Sequence, residues 1–305
     1  MIYIKSFLKW AGGKNKLLSY FFENFPTQLF KNNMVYIEPF VGGGSVVFNL
    51  LYHYHLTNVY ILDTNQELIN CYKIIKNHVN DLIKSLQELN FNYALAATLQ
   101  DKEAIFTKYK TEFNELNAHD LVTKIRKAAL FIFLNHTCFN GLYRVNSKNL
   151  FNVPFGKYLH PQICNEEHLR QLNKLLKHVH IYHASYEKVI KIFKKIDQKP
   201  FIYFDPPYLA TSDTKNFTSY TKNNFGLEEQ IKLAQFLHQI NDECQIALSN
   251  STACLDNKEL NKLYSSFYIN YVNTIHSISC NGNSRKEHTE LFVTNYEIQH
   301  GEHRE

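Results

Sequence analysis

An aspartate, two prolines and a tyrosine follow directly after a short run of bulky apolar residues. The run from Phe201 to Phe204 is typical of a buried strand, and Pro206 and Pro207 end it because proline lacks a backbone N–H. Asp205 therefore lies at the carboxyl end of a strand, where α/β sheets place their active sites. Candidate catalytic residues are an acid, a rigid turn and a ring: Asp205, Pro206, Pro207 and Tyr208.

Three consecutive glycines, Gly42 to Gly44, follow another apolar strand and precede a helix. Glycines there allow a ligand to approach the backbone near a helix N-terminus. Asp63 ends the next strand about 20 residues later, where an acid can hydrogen-bond both ribose hydroxyls of an adenosine. GxxxxGK[ST] and a complete GxGxxG are absent, which disfavours ATP and NAD. The alternative is a tight turn beside a solvated acid.

A second glycine turn lies near the start of the chain, in the segment FLKWAGGK from Phe7 to Lys14. Lysines flank this turn, and the segment contains the chain's single tryptophan, Trp10. Lys14 can pair with a carboxylate, and Trp10 can stack on a ring. The alternative is a core tryptophan beside surface lysines.

A sheet is needed to bring these turns together. Strand patterns followed by helical patterns begin near residues 34, 58, 178 and 200, a further strand is predicted over 244–251, and a closing hairpin over 267–275 and 290–298. Alternating strands and helices predict an α/β fold with a mostly parallel sheet covered on both faces.

The middle of the chain has little strand signal. A helix is predicted from Leu121 to His136, and a polar stretch rich in asparagine, lysine and aromatic residues follows from Cys138 to Pro161. We interpret residues 77–174 as a mostly helical insert that divides an α/β core made of residues 1–76 and 175–305.

Composition limits the class of protein. The 305 residues carry a formal net charge of +5, which permits an anionic partner. The six cysteines form no CxxC pair, so no metal is predicted and a reduced, cytoplasmic protein is expected. No signal peptide and no apolar run of membrane-spanning length is found in the sequence, so no membrane partner is expected.

Seven segments, in this order, resemble the Dam-type DNA adenine-N6 methyltransferases of the α class, in particular the GATC-methylating enzymes of restriction–modification systems. The segments are FLKWAGGK, EPFVGGGSVVF, ILDTN, FNGLYRVNSKNLFNVPFGKY, FDPPY, ALSNS and SRKEHTELFVTNY. They cover nearly the whole chain, and the long FNGLYRVN segment is the most specific because it belongs to the DNA-reading insert of this family.

The resemblance implies a Rossmann-like core that binds S-adenosylmethionine, with an inserted target-recognition domain. Lys14 is expected near the methionine carboxylate and Asp63 on the ribose. Ser185 departs from relatives that carry an acid there. The residues expected to bind the cofactor are Trp10, Ala11, Gly12, Lys14, Glu38, Pro39, Phe40, Gly42, Gly44, Ser45, Asp63, Asn65, Ser185, Tyr186 and Asp205.

The resemblance also implies double-stranded DNA as partner, with GATC as the expected target. Lys9 matches a contact to the first guanine of the site, and Arg144 can pair bidentately with guanine. Phe139 matches a wedge into the base stack, and Lys157 stands where some relatives carry arginine. The residues expected on DNA are Lys9, Phe139, Asn140, Leu142, Arg144, Asn152, Pro154, Lys157 and Tyr158. The alternatives place Phe139 and Leu142 in the core of the insert and Arg144 on a solvated surface.

The expected chemistry is direct methyl transfer to the exocyclic amine of a flipped adenine. The Asp205 carboxylate and the Pro206 carbonyl would accept the two amine hydrogens, and Tyr208 would stack on the base. A cognate restriction endonuclease is a possible partner in function. Three alternatives stay open: a methyltransferase for rRNA or a protein amide, an enzyme for another palindrome, and a DNA-reading regulator without turnover.

Overall fold

Seven strands form one sheet in a computed structural model that describes residues 3–10, 12–209, 225–275 and 287–298. The strands are β1 (Val35–Glu38), β2 (Val59–Asp63), β3 (Val179–His183), β4 (Pro200–Phe204), β5 (Gln245–Ser251), β6 (Tyr268–Ile275) and β7 (Glu287–Thr294). Their order in the sheet is β3-β2-β1-β4-β5-β7-β6.

The first five strands of the sheet are parallel, and β7 runs antiparallel between β5 and β6. The chain order reverses between β1 and β4, and in open α/β sheets ligands bind in the crevice beyond this point. The predicted parallel sheet and the closing hairpin are confirmed. β7 begins at Glu287 and ends at Thr294, earlier than predicted, and its insertion beside β5 was not predicted.

The described helices cover both faces of the sheet. They are α1 (Leu18–Asn24), α2 (Thr27–Phe30), α3 (Ser45–Tyr54), α4 (Gln66–Asn77), α5 (Val79–Leu95), α6 (Leu99–Glu115), α7 (Leu121–Thr137), α8 (Glu166–Leu175), α9 (Val189–Phe193), α10 (Leu227–Ile240) and α11 (Lys258–Tyr264).

Successive side chains of the central strands point to opposite faces of the sheet, and they divide the hydrophobic core into two layers. Tyr36 and Tyr203 pack into a larger cluster with α1 and α3 to α8, whereas Ile37 and Ile202 face a smaller cluster with α9 to α11. The α/β fold class is therefore confirmed, with buried strands flanked by helices on each side.

The predicted insert is largely helical. The predicted helix over 121–136 is confirmed as α7, which begins with a capping box between Asp120 and Thr123. Behind α7, a 3-10 helix (Phe139–Gly141) leads into a loop closed by two isolated bridges, Cys138 to Phe155 and Val145 to Phe151. The larger hydrophobic cluster continues from the sheet into α5 to α7, and the division into a core of 1–76 and 175–305 with an insert of 77–174 stays a prediction.

Candidate functional site

A cleft of about 1990 Å³ opens beyond the carboxyl ends of β1, β2 and β4. It is lined by most of the residues that the sequence assigns to the cofactor: Trp10, Gly12, Lys14, Glu38, Phe40, Gly42, Ser45, Asp63, Asn65, Ser185, Tyr186 and Asp205. Pro206, Pro207 and Tyr208 line the same cleft. Pro39 and Gly44 belong to the turn behind this lining, and Ala11 lies outside the described residues.

Asp63 and the glycine turn form one hydrogen-bonded unit. The Asp63 carboxylate accepts the backbone N–H of Gly42 at 3.1 Å and that of Asn65 at 2.8 Å. Gly44 has φ 76°, and a Cβ there would lie 2.5 Å from the Tyr72 hydroxyl, which itself donates to the Gly42 carbonyl. The turn therefore requires glycine at this position, and it is anchored to the acid that ends β2.

The half-exposed edge of this unit suits an adenosine. Burial raises the pKa of Asp63, and the backbone N–H groups of Asn65 and Gly42 oppose that rise. The rings of Phe40 and Tyr186 stack with centroids 5.7 Å apart and line the same cleft. An acid acceptor for ribose next to an aromatic surface for a base fits the nucleoside part of S-adenosylmethionine.

Lys14, which follows the N-terminal glycine turn, contacts the proline turn through a partly buried cluster of charges. Its ammonium lies 3.1 Å from the Asp205 carboxylate and 3.4 Å from that of Glu290, and it donates to the Tyr208 hydroxyl at 2.7 Å. The Tyr208 hydroxyl in turn donates to Glu290 at 2.6 Å. The side chain of Lys14 is only 5% exposed, so these carboxylates replace its hydration.

The charges in this cluster shift one another's pKa. Burial raises the pKa of Asp205 to about 6, where Glu290 adds to the rise and the Lys14 ammonium opposes it. Burial lowers the pKa of Lys14, but the carboxylates of Asp205 and Glu290 outweigh it, and the net pKa of Lys14 is raised. Lys14 is therefore charged at neutral pH, and Asp205 is mostly ionised there.

Two buried side-chain amides, those of Gln230 and Asn250, form a chain of hydrogen bonds that ends at the proline turn. The Gln230 side chain donates to the Pro207 carbonyl at 2.8 Å and accepts from the Asn250 amide at 2.9 Å. Both amides are fully buried on α10 and β5. The Pro206 carbonyl accepts no hydrogen bond within the described ranges, so its acceptor capacity remains for a ligand.

No local pattern in the sequence indicates a role for Glu290, Gln230 or Asn250. Glu290 lies on β7 and reaches Tyr208 across 82 residues of sequence. Gln230 is within an amphipathic helix, and Asn250 stands in the ALSNS segment whose role was unassigned. The order of the sheet brings Asn250 and Glu290 towards the proline turn, because β5 pairs with β4 and β7 pairs with β5.

Most of the residues assigned to DNA are exposed, and all but Lys9 lie in the segment that follows α7. Along 151–155, Phe151, Val153 and Phe155 are buried while Asn152 and Pro154 are exposed, as a strand-like alternation requires. The exposed Arg144 donates from Nε to the Asn152 side chain at 2.9 Å. Asn140 and Lys157 are also exposed, both with positive φ.

Phe139 is 50% exposed, which excludes the alternative of a core residue, whereas Leu142 is half-buried and packs against the larger cluster. The Lys9 ammonium lies 4.0 Å from the centroid of the Tyr158 ring. Lys9 also lines the mouth of the cleft. The proposed reading surface and the proposed catalytic turn are therefore connected through the segment that begins at Phe7.

Clusters of metal-binding side chains and membrane-spanning helices are absent from the described residues. No group of three or more His, Cys, Asp or Glu side chains capable of holding a metal occurs among the described residues. Five cysteines there carry free thiols: Cys71, Cys138, Cys164, Cys244 and Cys254. No described helix combines the length and apolar character that crossing a bilayer requires.

Comparisons with known proteins agree on one family. A family model described as D12 class N6 adenine-specific DNA methyltransferase matches residues 10–278. The chain is 42% identical over 296 residues to Type II methyltransferase M.MjaIII of Methanocaldococcus jannaschii, covering 96% of this chain and 99% of that protein.

Two further relatives cover almost the same length. Type II methyltransferase M1.LlaDCHI of Lactococcus lactis is 34% identical over 302 residues, with 97% of this chain and 96% of the relative covered. A DNA adenine methylase of Escherichia coli is 31% identical over 290 residues, with coverages of 95% and 94%.

Proposed function

The chain belongs to the D12 class N6 adenine-specific DNA methyltransferase family, and we propose that it transfers a methyl group from S-adenosylmethionine to a flipped adenine at Asp205–Tyr208. The observation that carries this assignment is the partly buried Asp205 at the carboxyl end of β4, in the same cleft as Asp63 and the glycine turn. One cleft then holds both the nucleoside of the donor and the acceptor base.

S-adenosylmethionine supplies an electrophilic methyl group on its sulfonium. Asp63 would bind the ribose of this cofactor, and Phe40 and Tyr186 would contact its adenine. The backbone of the turn at Gly42 would pass close to the bound cofactor. Lys14 is proposed near the methionine carboxylate, and its ammonium already faces Asp205 and Glu290. Gly12 and Ser45 are proposed to complete this end, since Ser45 accepts the backbone N–H of Lys14 at 3.0 Å.

The proposed role of the turn is to make a weak nucleophile reactive. The amine lone pair of adenine is delocalised into the ring, so acceptors for both N–H bonds favour the charge that develops on nitrogen. Asp205 offers a carboxylate and Pro206 a carbonyl without another partner in the described ranges. Gln230 holds the next carbonyl, so the turn is preorganised. After transfer, Asp205 can accept a proton from the methylated amine.

An adenine inside duplex DNA cannot reach a carboxylate at the base of a cleft. Base flipping is therefore part of the proposal, with the Tyr208 ring stacked on the extruded base. The half-exposed ring of Phe139 is proposed to fill the vacated space, and Asn140 to contact the orphaned strand. Their exposure on the surface behind α7 supports these roles.

The proposed target is the palindrome GATC. Lys9 and Arg144 are proposed to read its guanines in the major groove. Leu142, Asn152, Pro154, Lys157 and Tyr158 are proposed to contact neighbouring bases or the backbone. The Arg144 contact to Asn152 supports base reading, because it holds one edge of the guanidinium and leaves the other for a guanine.

Arg144→Ala is expected to weaken discrimination at a single base pair by about 1–3 kcal/mol. The check is kcat/KM on duplexes that carry each single substitution in the site. Lys148→Ala, an exposed neighbour in the same loop, is the control and is expected to lower kcat/KM equally for all sequences. An equal loss on all sequences for Arg144→Ala would assign it to phosphate instead.

A second prediction concerns pH. A carboxylate with a pKa of about 6 loses its acceptor capacity as the pH falls through that value, so kcat/KM is expected to decrease on the acid side. At pH values below this pKa, kcat/KM should fall about tenfold per pH unit, because a single proton binds to Asp205. Because kcat/KM reports the free enzyme, steady-state rates at low substrate provide the measurement. A flat profile down to about pH 5 would contradict it.

Biological context remains a proposal. The resemblance to restriction–modification enzymes suggests a cognate endonuclease that acts on the same site, without direct contact. Free thiols in the described ranges fit a reduced cytoplasm, which we propose as the location.

A transfer assay with a labelled donor tests the proposed function. Duplex DNA should accept label only when adenine is present, and its kcat/KM should exceed that of structured RNA or a protein by orders of magnitude. Preferential labelling of RNA or protein would favour the alternative methyltransferase classes. Specific DNA binding without any transfer would indicate a regulator.

A further inference from the structure

Asn135, in the last turn of α7, joins two separate segments of the proposed reading surface. It is only 3% exposed. Its side-chain carbonyl accepts the backbone N–H of Lys9 at 2.8 Å, and its amide donates to the Lys9 carbonyl at 2.9 Å. The same amide donates to the Gly141 carbonyl at 2.7 Å. The Asn135 side chain therefore uses its acceptor and both of its amide hydrogens to bind Lys9 and Gly141.

Gly141 and Lys9 are also in direct contact. Gly141 has φ 64°, and a Cβ there would lie 2.3 Å from the Lys9 Cβ. The Lys9 ammonium reaches back to the His136 carbonyl at 3.4 Å. The Lys9 side chain therefore contacts Gly141 near its Cβ and the end of α7 at its ammonium.

We propose that Asn135 is a positioning residue for DNA recognition, which holds Lys9 and the turn from Asn140 to Leu142 in one fixed relation. This inference rests on the proposed function, in which both elements read the site. Base contacts discriminate only when their hydrogen-bonding geometry is maintained. Without the amide, the carbonyls of Lys9 and Gly141 lose their donor and the two segments are free to shift.

The chain provides a matched control in Asn49. This fully buried asparagine of α3 accepts the backbone N–H of Ile4 at 2.8 Å and donates to the Ile4 carbonyl at 2.9 Å and the Ser45 carbonyl at 2.7 Å. The bonding pattern is the same as that of Asn135, and it acts on the same N-terminal segment. The hydrogen bonds of Asn49 in the described ranges go to Ile4 and Ser45 and not to the turn from Asn140 to Leu142.

The experiment compares Asn135→Asp with Asn49→Asp, since aspartate keeps the shape and loses both donors. Two duplexes compete in one reaction, one with the enzyme's site and one with the first base pair of that site changed. The ratio of methylation is independent of how much enzyme is folded. We expect the ratio to fall about tenfold or more for Asn135→Asp and to stay near the wild-type value for Asn49→Asp.

Gly141→Ala is a second variant that separates Lys9 from the turn without changing Asn135, and it carries the test if Asn135→Asp does not fold. We expect it to lower the same ratio. A wild-type ratio in every folded variant of Asn135 or Gly141, or an equal loss in Asn49→Asp, would overturn the inference. Absence of DNA methylation by the wild type would instead contradict the proposed function.

Discussion

Replacement of Asp205 by alanine is expected to abolish methyl transfer while binding to duplex DNA is largely retained. The variant removes the carboxylate that accepts an amine hydrogen, and a preorganised acceptor of this kind contributes a factor of about 10²–10³ or more to kcat. DNA affinity should persist because the exposed residues behind α7, and not Asp205, carry the proposed contacts. Single-turnover transfer of a labelled methyl group and a binding titration on the same duplex measure the two properties separately.

Asp242→Ala provides the control for Asp205→Ala, since Asp242 is exposed at the end of α10 and does not line the cleft. It should leave transfer within about twofold of wild type, as expected for a surface substitution. Near-normal turnover of Asp205→Ala would contradict the proposed mechanism. Loss of DNA binding together with turnover would indicate that Asp205 is needed for the fold.

Replacement of Lys14 by methionine is expected to have the second-largest effect. The substitution keeps the length of the side chain and leaves Asp205 and Glu290 in the cleft without their common cation. Because Lys14 is buried and both carboxylates are partly buried, this change is expected to lower the free energy of unfolding by up to about 3–5 kcal/mol. Burial and Glu290 then raise the pKa of Asp205 with only the Tyr208 hydrogen bond opposing them, so this pKa rises above about 6 and transfer at neutral pH falls.

The pH profile of kcat/KM distinguishes two roles of Lys14. If Lys14 keeps Asp205 ionised, the acid limb of Lys14→Met moves to higher pH and part of the activity returns at alkaline pH. If Lys14 only binds the methionine carboxylate, KM for S-adenosylmethionine rises and the acid limb stays in place. Lys16→Met, an exposed lysine two positions further along the chain, should change neither property.

The position of the catalytic turn was predictable because its signals are local. A run of apolar residues up to Phe204 predicts β4, and a proline pair ends it, so Asp205 must lie at a strand end. Asp63 and the glycine turn were predictable for the same reason, since each follows a buried strand. Parallel strands bring their carboxyl ends to one edge of the sheet, and these residues therefore share a cleft.

The partners of the catalytic turn were not predictable, because they arise from the order of the strands. β7 enters the sheet beside β5 and brings Glu290 to Tyr208, and no spacing in the sequence indicates that insertion. Lys14 was expected to meet a carboxylate, but the identity of that carboxylate depends on the same placement. The role of Asn135 was not predictable for a related reason. In the sequence it is one polar residue in a mostly apolar helix, and its hydrogen bonds to Lys9 depend on a contact between segments distant in sequence.

Mapping modified adenines in the genomic DNA of a methylation-free bacterial host that expresses the chain tests the central claim most directly. Long-read sequencing should show complete N6-methyladenine at one short palindrome, GATC, and no modification in a host that expresses Asp205→Ala. Modification at another palindrome would preserve the mechanism and reassign Lys9 and Arg144. Unmodified adenines in the presence of folded protein that binds S-adenosylmethionine would contradict the account.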